Sequence, residues 1–88
     1  MKRFMCTHTF TPGSFSNEDV DKLAQAGQEA TSVRGYRSFV NLSKGEALCI
    51  VEANDSNTVA SWFKEVGMPY NSITQVELEG DRGTVKKV

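Results

Sequence analysis

Polar and apolar positions alternate along the first ten residues. In Arg3-Phe4-Met5-Cys6-Thr7-His8-Thr9-Phe10 one alternate set is Phe4, Cys6, His8 and Phe10. This period of two, with aromatic and β-branched content, predicts a strand over 3–10. Thr11-Pro12-Gly13-Ser14 is turn chemistry, after which the period becomes helical. Val20, Leu23, Ala24, Gly27 and Ala30 fall on one stripe, while Asp21, Lys22, Gln25, Gln28 and Glu29 fall off it. Ser16 suits the N-cap, acidic residues follow in the first turn, and Phe15 and Val20 sit where a hydrophobic staple places them. Gly27 costs about 1 kcal/mol in a helix interior relative to alanine. Close approach of this helix to a sheet is the expected compensation.

The next signals continue in the same short rhythm. Tyr36 to Leu42 reads as a second strand, Ser43-Lys44-Gly45-Glu46 as a hairpin turn, and Ala47 to Glu52 as a third strand. The third strand is apolar on both faces, as a central strand is. Asn54-Asp55-Ser56 caps a second helix with apolar residues at Val59, Trp62, Phe63 and Val66. Trp62, Phe63 and Val66 are core by spacing. Gly67 stops the helix and Pro69 follows. Ile73 to Glu79 reads as a fourth strand. Gly80 to Val88 is either a frayed tail or a short hairpin extension.

The order β-α-β-β-α-β is the ferredoxin-like motif. It predicts an α+β domain over 1–79, with a tail over 80–88. Its four-stranded antiparallel sheet has the first and third strands in the middle and both helices on one face. On the third strand, small Ala47, Cys49 and Val51 suit helix packing, so Leu48, Ile50 and Glu52 are expected on the open face. On the first strand, Met5 and Thr7 are assigned to the helix side, and Phe4, Cys6 and His8 to the open face. A one-residue slip would reverse that parity. An open face with Phe4, Leu48 and Ile50 needs a cover, and a second copy is the simplest one.

The totals narrow the function. The chain has 88 residues, 39% hydrophobic and 24% charged, with a formal net charge of -1. That composition suits one globular domain. The charge argues against a nucleic-acid or anionic-membrane partner. The third strand also lacks the aromatics on which RNA-recognition modules of this fold stack bases. No segment approaches the roughly 18 apolar residues of a membrane span, and the start lacks the apolar core of a signal peptide. A cytoplasmic location is therefore expected, and two cysteines make no disulfide framework.

The candidate chemistry lies on the predicted open face. Cys6 and His8 stand two apart on one strand, and Glu52 on the neighbouring strand offers an oxygen. Imidazole with thiolate or carboxylate suits zinc, nickel or copper. Phe4, Tyr36 and Ile50 would line a cleft beside these donors. The plainer readings stay open: His8 as a hydrogen-bonded structural residue, Cys6 as a small buried hydrophobe, and Glu52 paired with Arg37 or His8. Arg34, Tyr36 and Arg37 form either an anion-binding group or a solvated strand edge. One histidine without a paired nucleophile makes no catalytic set, so no catalytic residue is assigned.

The stretches "RFMCTHTF", "ALCIVEAND" and "VGMPYNSITQVE" resemble a family of small bacterial proteins described as nickel-binding. Phe4, Met5, His8, Cys49, Glu52, Ala53, Asp55, Gly67, Pro69, Ile73 and Val76 carry the resemblance, which spans about residues 3 to 79. It implies a ferredoxin-like fold, a homodimer, and nickel or another divalent transition metal as ligand. Cys6 stands where members often have an acidic residue, Ile50 replaces leucine and Asn54 replaces proline. A thiol in place of a carboxylate would soften a metal site. Three readings result: a dimeric metal-binding protein; a small dimeric enzyme acting on an aromatic or apolar substrate in the open-face cleft, with His8 as acid or base; and an interaction module without ligand.

Overall fold

The computed structural model describes residues 1–88. Strand β1 is Lys2–Thr9, helix α1 Asn17–Glu29, β2 Val33–Asn41, β3 Glu46–Ala53 and helix α2 Ser56–Val66; β4 is Ser72–Gln75, β5 Leu78–Asp81 and β6 Thr84–Lys87. The fold is α+β. The first four strands form one sheet in the order β2-β3-β1-β4, with antiparallel neighbours throughout, and β5 and β6 form a separate hairpin. The reading of 73–79 as one strand is corrected: the ladder on β1 ends at Gln75, and pairing resumes at Leu78 with β6. Of the two readings of the C-terminal segment, the hairpin is the one found. The boundary drawn after residue 79 falls inside β5.

Local chemistry explains where the helices begin and end. Ser16 accepts from the Asp19 amide, and the Asp19 carboxylate accepts from the Ser16 amide, a reciprocal capping box. Those hydrogen bonds hold the Asp19 carboxyl below the usual range. Asp55 accepts from the Thr58 amide and hydroxyl at the start of α2. Gly67 ends α2 with φ 74°, the left-handed conformation that glycine adopts without a Cβ clash.

The core lies between the sheet and the two helices. Phe4, Cys6, Val33, Val51, Ala53, Val59 and Phe63 are its buried apolar members, and His8 is buried with them. In α1 only Gly27 is buried. A Cβ there would lie 3.5 Å from Gly35 and 3.6 Å from the Trp62 ring. The glycine thus brings α1 onto the sheet, as its position in the stripe predicts. At the other end of α1, Phe15 meets Phe10 edge to face at 4.9 Å. Between these two contacts the helix stands off the sheet. Trp62 is half-buried rather than fully enclosed, because one side of it faces that gap.

The predicted parity of β1 is reversed. Phe4, Cys6 and His8 face the helices, and Arg3, Met5 and Thr7 face the open side. Directly opposed residues of two strands share a face, and Cys6 stands opposite Cys49, Phe4 opposite Val51, and His8 opposite Ala47. The assignment of Ala47, Cys49 and Val51 to the helix side, with Leu48, Ile50 and Glu52 opposite, agrees with the register. It carries Phe4, Cys6 and His8 inward with it.

Gly45 is the turn position that tolerates no side chain. It is buried with φ 71°, and a Cβ would collide with the Phe10 carbonyl oxygen. Its own carbonyl accepts from the Phe10 amide at 2.9 Å. Gly45→Ala is expected to destabilise the protein by at least about 2 kcal/mol, combining left-handed strain with displacement of the β1 terminus. Urea denaturation of the two proteins measures this, and a loss under about 0.5 kcal/mol would contradict it.

Candidate functional site

The residues proposed from sequence separate into two places. Cys6 and His8 lie on the helix side of β1, 0% and 2% exposed, while Glu52 lies on the open face opposite Arg3. The candidate cleft divides the same way. Phe4 is in the core, whereas Ile50 shares the open face with Met5, and Tyr36 lies over Arg3. The structure does not bring Cys6, His8 and Glu52 together.

His8 occupies a tight polar niche in an apolar core. Asn71 donates its amide to the Thr7 carbonyl at 2.7 Å, and Thr9 donates its hydroxyl to the Asn71 side chain at 3.0 Å. These bonds stitch the segment after α2 onto β1 and hold the Pro69 carbonyl 2.7 Å from His8 Nδ1. A carbonyl only accepts, so Nδ1 carries the proton. Nε2 is then a bare lone pair, buried and without a hydrogen-bond partner. Phe63 stands edge-on to the ring at 4.9 Å. Burial pushes the His8 pKa down, and the Pro69 hydrogen bond offsets part of that shift. The ring is therefore neutral at pH 7.

The cysteines are poor nucleophiles and poor ligands as they stand. Burial pushes the Cys6 thiol up to about 12, with a contribution from Cys49, and the Cys49 thiol up to about 11. Both are free, and Cys6 contacts the Phe4 carbonyl at 3.8 Å. The thiolate is the form that binds metal or attacks, and burial suppresses it here.

The open face has a polar hub that the sequence reading missed. Arg3 donates Nε to Glu52 and Nη1 to Glu79, each at 3.0 Å. Its guanidinium lies 4.0 Å above the centre of the Tyr36 ring, and Tyr36 donates its hydroxyl to the second Glu79 oxygen at 3.1 Å. Arg3 is thus the partner of Glu52, in place of the expected Arg37 or His8. Glu79 ties the β5–β6 hairpin to this face. The only hint in the sequence is that Arg3 alternates with Phe4, which marks its side as the solvent side.

A nickel centre can be tested against these donors. The one orphaned buried donor is His8 Nε2. No group of three or more His, Cys, Asp or Glu residues is placed to hold a metal ion. Glu52 is engaged by Arg3, and Cys6 is protonated. The residues of a single folded chain therefore do not fit a nickel centre.

A buried neutral histidine makes stability depend on pH. With a folded pKa below the unfolded value of about 6.5, the unfolded chain binds more protons in the window between the two values. Stability is full above that window and falls as pH drops through it. The denaturation midpoint should fall between pH 7 and pH 5, well above the range of Asp19 and Asp55, and His8→Gln should flatten that fall. A midpoint independent of pH across this window would contradict the assignment.

The chain was compared with known proteins. The family model of the nickel responsive protein SCO4226-like group matches residues 4–76. The crystal structure of SCO4226 from Streptomyces coelicolor A3(2) is similar in fold. Its TM-score is 0.75 at 17% identity, covering 89% of this chain and 99% of that one. No curated protein sequence matches. With the resemblance of its strand and loop motifs and a match over most of its length, the chain belongs to the SCO4226-like family of nickel-responsive proteins.

Proposed function

We propose that the protein is a small homodimeric binding protein of ferredoxin-like build, paired through the open face of its sheet. The observation that carries this reading is the uncovered apolar surface. Met5, Tyr36 and Phe39 are 41%, 45% and 57% exposed, beside half-buried Leu48 and Ile50, on a sheet whose helices both lie on the other side. Each large apolar side chain left in water forgoes roughly 1.5–3 kcal/mol of burial. The hairpin adds to the argument. Glu79 anchors it to this face, while Leu78 and Val85, on the side away from Glu79, are exposed. Two such arms related by a two-fold axis would each have an apolar side to lay on the partner, which suits an isologous interface.

Sedimentation velocity tests the pairing. The wild type should sediment as a dimer at micromolar concentration, and the Met5→Glu/Phe39→Glu variant as a folded monomer of 9.7 kDa. A monomeric wild type would overturn this reading.

A second reading is favoured by one atom. Nε2 of His8 is buried, deprotonated and unpartnered, with its tautomer set by Pro69, and this is how a metal-ligating histidine is held by its other nitrogen. Nickel would use His8 as its imidazole donor, with further donors supplied by a rearranged form in which the α2 side of the core has parted. Binding should then weaken as pH falls, because protons compete for that nitrogen. Calorimetric titration of nickel into untagged wild type and His8→Ala checks this. Binding lost in the variant supports the reading, and equal binding by both proteins removes His8 from it.

A further inference from the structure

Between α1, α2 and the helix side of β2 and β3 lies a cavity of about 180 Å³. Aromatic and aliphatic side chains wall it, among them Phe15, Leu23, Trp62, Phe63 and Met68. Apart from Gln28 and Arg37, its remaining surface comes from small residues contributed by both layers: Ala24 and Gly27 from α1, and Gly35, Ser38, Ala47 and Cys49 from the sheet. Gly27 and Gly35 are small because they touch, but a core that only needed filling would place leucine or isoleucine at some of the other four positions, since interiors pack to crystal-like density. Instead α1 is held at its two ends, by Gly27 on Gly35 and by Phe15 on Phe10, and spans the space between them.

The cavity has a mouth and a polarity. The exposed residues among its lining include Ala24, Gln28, Ser38 and Val40, all on α1 or on the edge strand β2. The opening therefore lies between those two elements. No acidic residue lines the space. Its one charged residue, Arg37, stands opposite Ile50, whose face is the open one. An apolar cavity of about 150 Å³ elsewhere takes up benzene, so the volume here suits one aromatic ring with a small substituent. The exposed Ser38 marks the end where a single polar substituent would sit.

We propose that this cavity is a binding site for an uncharged, single-ring aromatic molecule that enters between α1 and β2. The site is on the opposite side of the sheet from the open face, so it does not depend on how the chain dimerises. Its aromatic walls meet the ligand ring in edge and offset contacts, and its small residues leave the room.

Toluene is a suitable probe, read by Trp62 fluorescence and by NMR shifts. Saturable binding is expected, with the largest shifts at Leu23, Val51 and Trp62. Ala24→Leu puts a strong helix former into the cavity and should weaken binding at least tenfold while circular dichroism stays that of the wild type. If that variant does not fold, Ala47→Val narrows the same space from the sheet side and should weaken binding in the same direction. Absence of saturation up to the solubility of toluene would overturn the proposal. So would unchanged affinity in the folded variant, or shifts confined to Met5, Phe39 and Leu48 on the open face.

Discussion

In the register of β1 against β3, Cys6 stands opposite Cys49 and Arg3 opposite Glu52, and most of the molecule's chemistry depends on that alignment. It sends both thiols and the imidazole into the helix-covered side. It leaves one guanidinium and one carboxylate to pair in the open. A slip of one residue would exchange the two sets, placing Arg3 among Val59 and Phe63 and His8 in water. Burying an unpaired guanidinium is far costlier than exposing an imidazole, so polarity alone selects the observed alignment.

The consequence for His8 is a residue with two unlike ends. One nitrogen is fixed by a carbonyl of the loop that follows α2, and the other has lost water without gaining a partner. A buried lone pair left in this state costs stability. The loop that imposes it is itself sewn to β1 through Asn71. The geometry of the ring is therefore set by a segment more than sixty positions away in the chain, and any ligand reaching Nε2 must first part the α2 side of the core.

What was legible in the sequence follows the range of the forces involved. The caps at Ser16 and Asp55 and the stop at Gly67 are local, and each was readable from a few residues. Gly27 was readable as a point of close approach because a glycine within an apolar stripe has few other uses. The parity of β1 was readable too, from Arg3 and the threonines alternating with Phe4 and Phe10. A reading drawn to Cys6 and His8 as ligands set that plain polarity aside. The Arg3 pairings with Glu52 and Glu79 span 49 and 76 positions, and no local pattern announces them. The break after Gln75 leaves a trace in the sequence, because Ile73 and Val76 stand three apart and the alternation of a single strand changes phase between them. The cavity is a difference between the space a fold encloses and the side chains supplied to fill it, and periodicity does not record that difference.

The bulge in β2 between Gly35 and Arg37 has a bearing on how copies of this chain can meet. β2 is an edge strand, nine residues long, with one row of amides and carbonyls free of any neighbouring strand. A flat edge of that length would recruit another strand and grow into an open-ended stack. The bulge bends the strand and breaks its hydrogen-bonding rhythm, and Arg34 and Arg37 put like charges on either side of the break. The opposite edge, β4, is only four residues long. Continuous sheets running from molecule to molecule are thereby disfavoured at both margins, and closed, countable assemblies are favoured over fibres.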